Sequence, residues 1–266
     1  MFKKLVLAAA FCATASFATW DKFPVLEDHK GETVVGIGFD YEGSSELMLL
    51  KPYLGSRFTV APNLELAVLL PYYVNLSEIL CTRYVNLDKN NGLGNPELMA
   101  RYQITPFLNV FLDALVPVNQ GSEYYDVWVL SFGAQFSKNF GIVDFGSELG
   151  LSVNVETDDD FSVPLRLNFG AEADFKLNIP LTPFVGADAL VLMGHVTGKN
   201  EAGEKYDDNL TGEFAVYPYV GLKYAITPNV VLQASAKTAV GKSVVIGEDT
   251  PFMADLKLKK IGRAHV

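Results

Sequence analysis

The chain has little cysteine and little histidine, two of the first and three of the second in 266 residues. Cys12 falls in an N-terminal segment expected to be removed, so Cys81 alone remains, a free thiol in a loop with no internal disulfide to form. His29, His195 and His265 are scattered, and a hydrolase would need a histidine held between a nucleophile and a third group. Asp158–Asp160 and Asp207-Asp208-Asn209 offer oxygen ligands but lack the twelve-residue loop closed by glutamate, and read as solvated acidic loops. Gly36-x-Gly38 lacks the third glycine and the helix of a dinucleotide site. No catalytic residue, metal site or cofactor is expected.

Clustered positive charge is also missing. The formal net charge is −10, and nucleic acid requires a basic footprint, so nucleic acid is not an expected partner. Long apolar runs are absent after the first two dozen residues, which excludes a membrane helix of about 20 apolar residues. Yet 49% of the chain is hydrophobic. That content must be distributed some other way.

It is distributed by alternation. Between Phe161 and Asn178 every odd residue is apolar, and the even residues include Arg166, Asn168, Glu172, Asp174 and Lys176. A strand sends alternate side chains to opposite faces, so this is one strand with an oily face and a charged face. It exceeds the roughly 9–11 residues a tilted strand needs to cross a bilayer. The pattern recurs at about 33–41, 47–60, 64–73, 94–105, 107–116, 128–137, 143–154, 184–196, 210–226 and 230–237, and begins again near Phe252. Short connections such as Ala61-Pro62-Asn63, Thr105-Pro106-Phe107 and Thr227-Pro228-Asn229 alternate with longer polar ones, notably 74–93 and 197–209. Proline presets φ and asparagine tolerates left-handed backbone, which suits tight turns. Short turns on one side and long loops on the other are the pattern of transmembrane barrels. The expected fold is all-β: a single antiparallel up-and-down transmembrane β-barrel of about 12 strands, the last one truncated, occupying 33–259.

The ends fit that setting. Lys3-Lys4, an apolar Leu5–Ala15 and Ser16-Phe17-Ala18 read as a secretory signal peptide over 1–18, with Ala15 the alternative cleavage point. Phe11 before Cys12 is too large for a lipoprotein site. A polar lead over 19–32 is expected in the periplasm, and an even strand number leaves both termini there. The last seven residues, Lys260–Val266, back-translate to the start of a widely used short-read sequencing adapter. The natural sequence is therefore expected to stop near Lys259, and resequencing the locus tests it.

If the apolar face meets lipid, the other face lines a lumen. Its charged candidates are Lys51, Arg57, Arg101, Arg166, Lys176, Lys223 and Lys237, with Asp40, Glu65, Glu97, Asp113, Asp144, Glu148, Glu172, Asp174, Asp188 and Glu213. Bare charges in a dry interior are costly, so the lumen holds water, a salt-bridge network, or both. Acids outnumber bases, which in a wet channel favours cations. Width scales with strand number, and twelve strands suit a narrow channel or a barrel plugged by its own charges.

Tyr53-Leu-Gly-Ser-Arg57-Phe-Thr-Val-Ala-Pro-Asn63-Leu-Glu-Leu, Gly92-Leu-Gly-Asn95-Pro-Glu-Leu-Met-Ala-Arg101-Tyr and Val116-Pro-Val-Asn-Gln-Gly121 resemble successive hairpins of a bacterial outer-membrane transporter family, the MetA-pathway-of-phenol-degradation family. The likeness covers about Tyr53–Gly121, and Asn95-Pro96 stands where that family has Gly-Asp. The resemblance implies an outer-membrane barrel with a transport role. Expected partners are outer-membrane lipid, small solutes and the barrel assembly machinery. The leading reading is a passive pore for small solutes in the bacterial outer membrane. The alternatives are a non-conducting envelope barrel whose loops bind a surface ligand, and a secreted two-sheet sandwich.

Overall fold

Period-two alternation sets every strand, and the computed structural model describes residues 20–42, 47–76, 91–118, 128–155, 163–199, 205–242, 246 and 251–263. The signal segment, Cys81, Asp158–Asp160, His265 and most of the loop 74–93 lie outside them. Twelve strands form the barrel: β1 (Lys30–Glu42), β2 (Leu47–Ala61), β3 (Leu64–Asn75), β4 (Glu97–Thr105), β5 (Leu108–Leu115), β6 (Trp128–Phe140), β7 (Val143–Val155), β8 (Leu165–Phe175), β9 (Leu181–Met193), β10 (Phe214–Thr227), β11 (Val230–Thr238) and β12 (Phe252–Arg263). Each pairs antiparallel with its chain neighbours, and β1 pairs with β12 from Lys30↔Arg263 to Tyr41↔Phe252. One sheet closes on itself. That rules out the two-sheet sandwich and leaves no open edge.

Two faces separate as alternation requires. Val35, Leu54, Phe58, Leu112, Phe132, Leu149, Val220 and Leu256 point outward and are exposed. Glu32, Arg57, Glu65, Arg101, Gln135, Ser152 and Asp188 point inward and are buried. The turn between β2 and β3 puts Asn63 at φ 64°, the left-handed conformation asparagine tolerates. Gly141, at φ 78°, does the same between β6 and β7.

Several boundaries differ from the sequence reading. β1 starts at Lys30 rather than near Thr33, after a turn in which Lys30 N donates to Glu27 O. β8 runs Leu165–Phe175, shorter than the alternating stretch, because Pro164 offers no N–H to the ladder and Pro180 ends the following turn. β12 runs Phe252–Arg263, and its last residues Ile261 and Gly262 pair with Glu32 and Gly31. The connection 197–209 is largely a hairpin rather than a loop, His195–Lys199 against Lys205–Asn209.

At the loop end, the inner face of β9 turns apolar. Leu190 and Leu192 pack with Val196, Leu210, Ala215, Tyr217, Ala239, Ile246 and Met253 into a small hydrophobic cluster. The outer hairpin thereby rests on one flank of the barrel mouth.

Candidate functional site

The site is the lumen, and its most consequential occupant is the lead. Residues Trp20–Leu26 pass inside the barrel and touch strands on opposite walls. The periplasmic placement expected for 19–32 thus does not describe this part of it. Asp21 reaches Arg57 Nη2 on β2 at 2.9 Å and Arg101 Nη1 on β4 at 3.0 Å. Lys22 turns to the other wall, with Nζ 2.8 Å from Asp188 Oδ1 on β9 and 3.3 Å from the Tyr219 hydroxyl on β10. Trp20 donates its indole N–H to Glu32 on β1, and the Arg57 guanidinium lies over its ring.

Main-chain groups of the lead are held too. The Asp21 carbonyl accepts from Gln135 Nε2 at 2.8 Å and from Arg101 Nη1 at 3.0 Å. The Phe23 carbonyl accepts from Arg101 Nη1 and from Asn109 Nδ2, each at 3.1 Å. Leu26 N donates to Glu65 Oε2, and Thr59 donates to the Leu26 carbonyl. Glycines in the wall make room. A Cβ on Gly146 would stand 2.5 Å from the Lys22 carbonyl oxygen, and one on Gly170 2.2 Å from Lys22 Cε. Only glycine fits such an approach.

Electrostatics hold both anchors charged. Burial by itself would raise the Asp21 carboxyl, but the Arg57 and Arg101 guanidiniums hold it well below the usual carboxylate range. Burial would lower the Lys22 ammonium, but the Asp188 carboxylate holds it above the usual lysine range.

The lumen candidates from sequence fall into connected groups. Arg57 and Arg101 meet at Glu65 Oε1, 3.5 Å from Arg57 Nη1 and 2.5 Å from Arg101 Nη2, and Arg57 also reaches Glu32 at 3.3 Å. Glu148 accepts from Gln135 at 2.8 Å. Lys237 joins Asp188 at 2.8 Å, and Lys223 bridges Glu172 at 2.9 Å and Asp174 at 2.5 Å. Lys51 pairs with Asp40 at 2.5 Å. Glu97 and Arg166 are buried at inward positions, and Asp113 sits on the inward register of β5. Lys176 lies past the end of β8 at the short-turn rim, half-exposed and paired with Asp144. Glu213 is in the turn before β10, not in the strand, since Thr211-Gly212 interrupts the alternation there.

The sequence reading put Asn109, Gln135 and Tyr219 on the polar face of their strands without singling them out; it missed the lead and Glu32, and it missed Asp255, Lys257 and Lys259 of β12. The β12 charges carry a signal, since Met253 to Lys259 alternates, and they were lost with the expectation of a truncated strand. Trp20–Leu26 carries none: its side chains have no period. Tyr53 OH donates to Asp255 Oδ2 at 2.7 Å across β1.

A cavity of ≈ 360 Å³ lies against Trp20–Phe23 and is walled by Asp40, Lys51, Tyr53, Glu97, Asp188, Tyr219, Lys237 and Asp255, among others. Away from the lumen, His195 Nδ1 meets Asp207 Oδ1 at 2.6 Å on the exposed outer hairpin. Among the described residues no group of three or more histidine, cysteine, aspartate or glutamate side chains is arranged to hold a metal ion.

A closed barrel with an apolar exterior and a polar interior defines a bacterial outer-membrane β-barrel. Solved structures carry the same fold. An outer membrane channel from Pseudomonas putida F1 is similar at TM-score 0.58 and 15% identity, over 92% of this chain and 100% of that one. The NanC porin is similar at TM-score 0.55 and 9% identity, over 85% of this chain and 98% of that one. The translocator domain of the autotransporter NalP from Neisseria meningitidis is similar at TM-score 0.53 and 10% identity, over 97% and 94%. No protein-family model and no curated protein matches the chain in sequence.

Proposed function

We propose that the chain is a passive outer-membrane pore for small solutes whose lumen is narrowed by its own N-terminal lead. The transporter family resembled by Tyr53–Gly121 points the same way, as do the channel and porin with this fold. No chemical step is part of the reading, and the wall charges act by selecting what passes.

The observation that carries it is how the charges balance. Withdrawing Trp20–Leu26 removes Asp21 and Lys22, one charge of each sign, and leaves every wall ion they touch with another partner. Arg57 keeps Glu32 and Glu65, Arg101 keeps Glu65, and Asp188 keeps Lys237. Stripping a buried ion of its last partner costs about 3–5 kcal/mol, and here no wall ion suffers that. The lead is therefore built as a removable part.

The same filled lumen favours the competing reading, a sealed envelope barrel. Swelling of proteoliposomes in isotonic solutions of small solutes separates the two. The pore predicts solute entry above that of protein-free vesicles; entry no faster than in empty vesicles favours the sealed barrel.

A further inference from the structure

We propose that the lumen holds a binding site for short zwitterionic peptides, which Asp21-Lys22 of the lead occupies as a tethered stand-in; this rests on the pore reading above. Two pockets of opposite sign face each other across the barrel. One offers the Arg57 and Arg101 guanidiniums to a carboxylate, at 2.9 and 3.0 Å from Asp21. The other offers Asp188 and the Tyr219 hydroxyl to an ammonium, at 2.8 and 3.3 Å from Lys22 Nζ, which also lies 5.6 Å from the centre of the Tyr219 ring. Arg57, Arg101, Asp188 and Tyr219 are all buried in the wall.

Charge alone would suit many zwitterions. The wall also reads the peptide backbone: Arg101, Gln135 and Asn109 donate to the carbonyls of Asp21 and Phe23 at 2.8 to 3.1 Å. Donors aimed at the carbonyls of Asp21 and Phe23, between a carboxylate pocket and an ammonium pocket, describe a peptide with adjacent acidic and basic groups. The recesses at Gly146 and Gly170 admit main chain and a lysine stem. The ≈ 360 Å³ cavity against the lead supplies the approach, and it falls within the usual size of small-molecule sites, about 300–1,000 Å³. A peptide arriving there competes with Asp21-Lys22 for donors already in place.

The test keeps the lumen unaltered. The chain has two tryptophans, and Trp128 points outward on β6, so Trp128→Phe leaves Trp20 as the single reporter of the lead. The full-length variant in lipid vesicles is titrated with N-acetylated, C-amidated Asp-Lys and with its uncharged counterpart, Asn-Gln blocked in the same way, and influx of both is followed. Asp-Lys is expected to shift Trp20 emission to the red in a saturable way and to enter about tenfold faster than Asn-Gln, the difference charge-assisted hydrogen bonds supply. Unmoved Trp20 emission, or equal influx of the two peptides, overturns the proposal while leaving the pore reading intact. Influx of neither peptide, in vesicles that also exclude other small solutes, overturns both.

Discussion

Paired charge decides what each lumen residue can do. Glu65 is 1% exposed and accepts from Arg101 at 2.5 Å and from Arg57 only at 3.5 Å, so Arg101 is its principal partner. Arg101→Ala is expected to destabilise the barrel by about 1.5–3 kcal/mol, the loss of a charge-assisted hydrogen bond, since Glu65 keeps Arg57. Thermal unfolding in detergent reads this. Asp21→Asn acts differently, since the wall ions keep each other. It weakens the lead's hold by about 1.5–3 kcal/mol, roughly ten- to a hundredfold in the balance between seated and withdrawn lead. The expected outcome is more frequent or larger conductance with unchanged thermal stability of the barrel.

The same residues fix the response to pH. The folded-state pKa of Asp21 is depressed, so its contribution is present above about 3.9, the ordinary aspartate value, and is lost as pH falls through the folded value. The folded-state pKa of Lys22 is raised, so its contribution is complete below about 10.4 and is lost as pH rises through the folded value. Neither anchor titrates in between. The anchors themselves therefore hold the lead from about pH 5 to 9, where neither changes charge. Trp20 emission in the Trp128→Phe variant checks it, and a transition inside that interval that persists in Lys259→Met, which removes the buried β12 ammonium acting on Asp21, would contradict the assigned pairs.

At the scale of elements, legibility follows periodicity. β2 through β8 alternate cleanly, so their outward and inward faces could be read before any coordinates. Leu149, on the outward face of β7, is half-exposed and adjoins Glu148, which is buried inward. Leu149→Arg is expected to cost about 2–4 kcal/mol if it sits near the bilayer midplane, because a charge there meets lipid. Equilibrium unfolding in vesicles measures that cost, and a negligible effect would place the face wrongly. β9 read less clearly because Leu190 and Leu192 point inward, into the cluster beneath the outer hairpin, and break the apolar-out rule. The lead was illegible for a deeper reason. Its polar contacts are to residues on β1, β2, β3, β4, β5, β6, β9 and β10, far apart in sequence, and no local pattern encodes such a path.

For the whole molecule, closure of β1 on β12 turns a set of amphipathic strands into a container, and the contents of that container set the function. The sequence candidates named charged side chains but not their pairing, which depends on which strands face each other across the lumen. Nor could they show that Asp21 and Lys22 complete the set. The central claim is that the lead is a removable plug in a conducting barrel. Single-channel recording in planar bilayers, comparing the full chain with a variant lacking residues 20–26, tests it most directly. The account predicts small or intermittent conductance for the full chain and a larger, steady conductance for the variant. A folded, membrane-inserted variant that stays sealed, or conducts no more than the full chain, would contradict it.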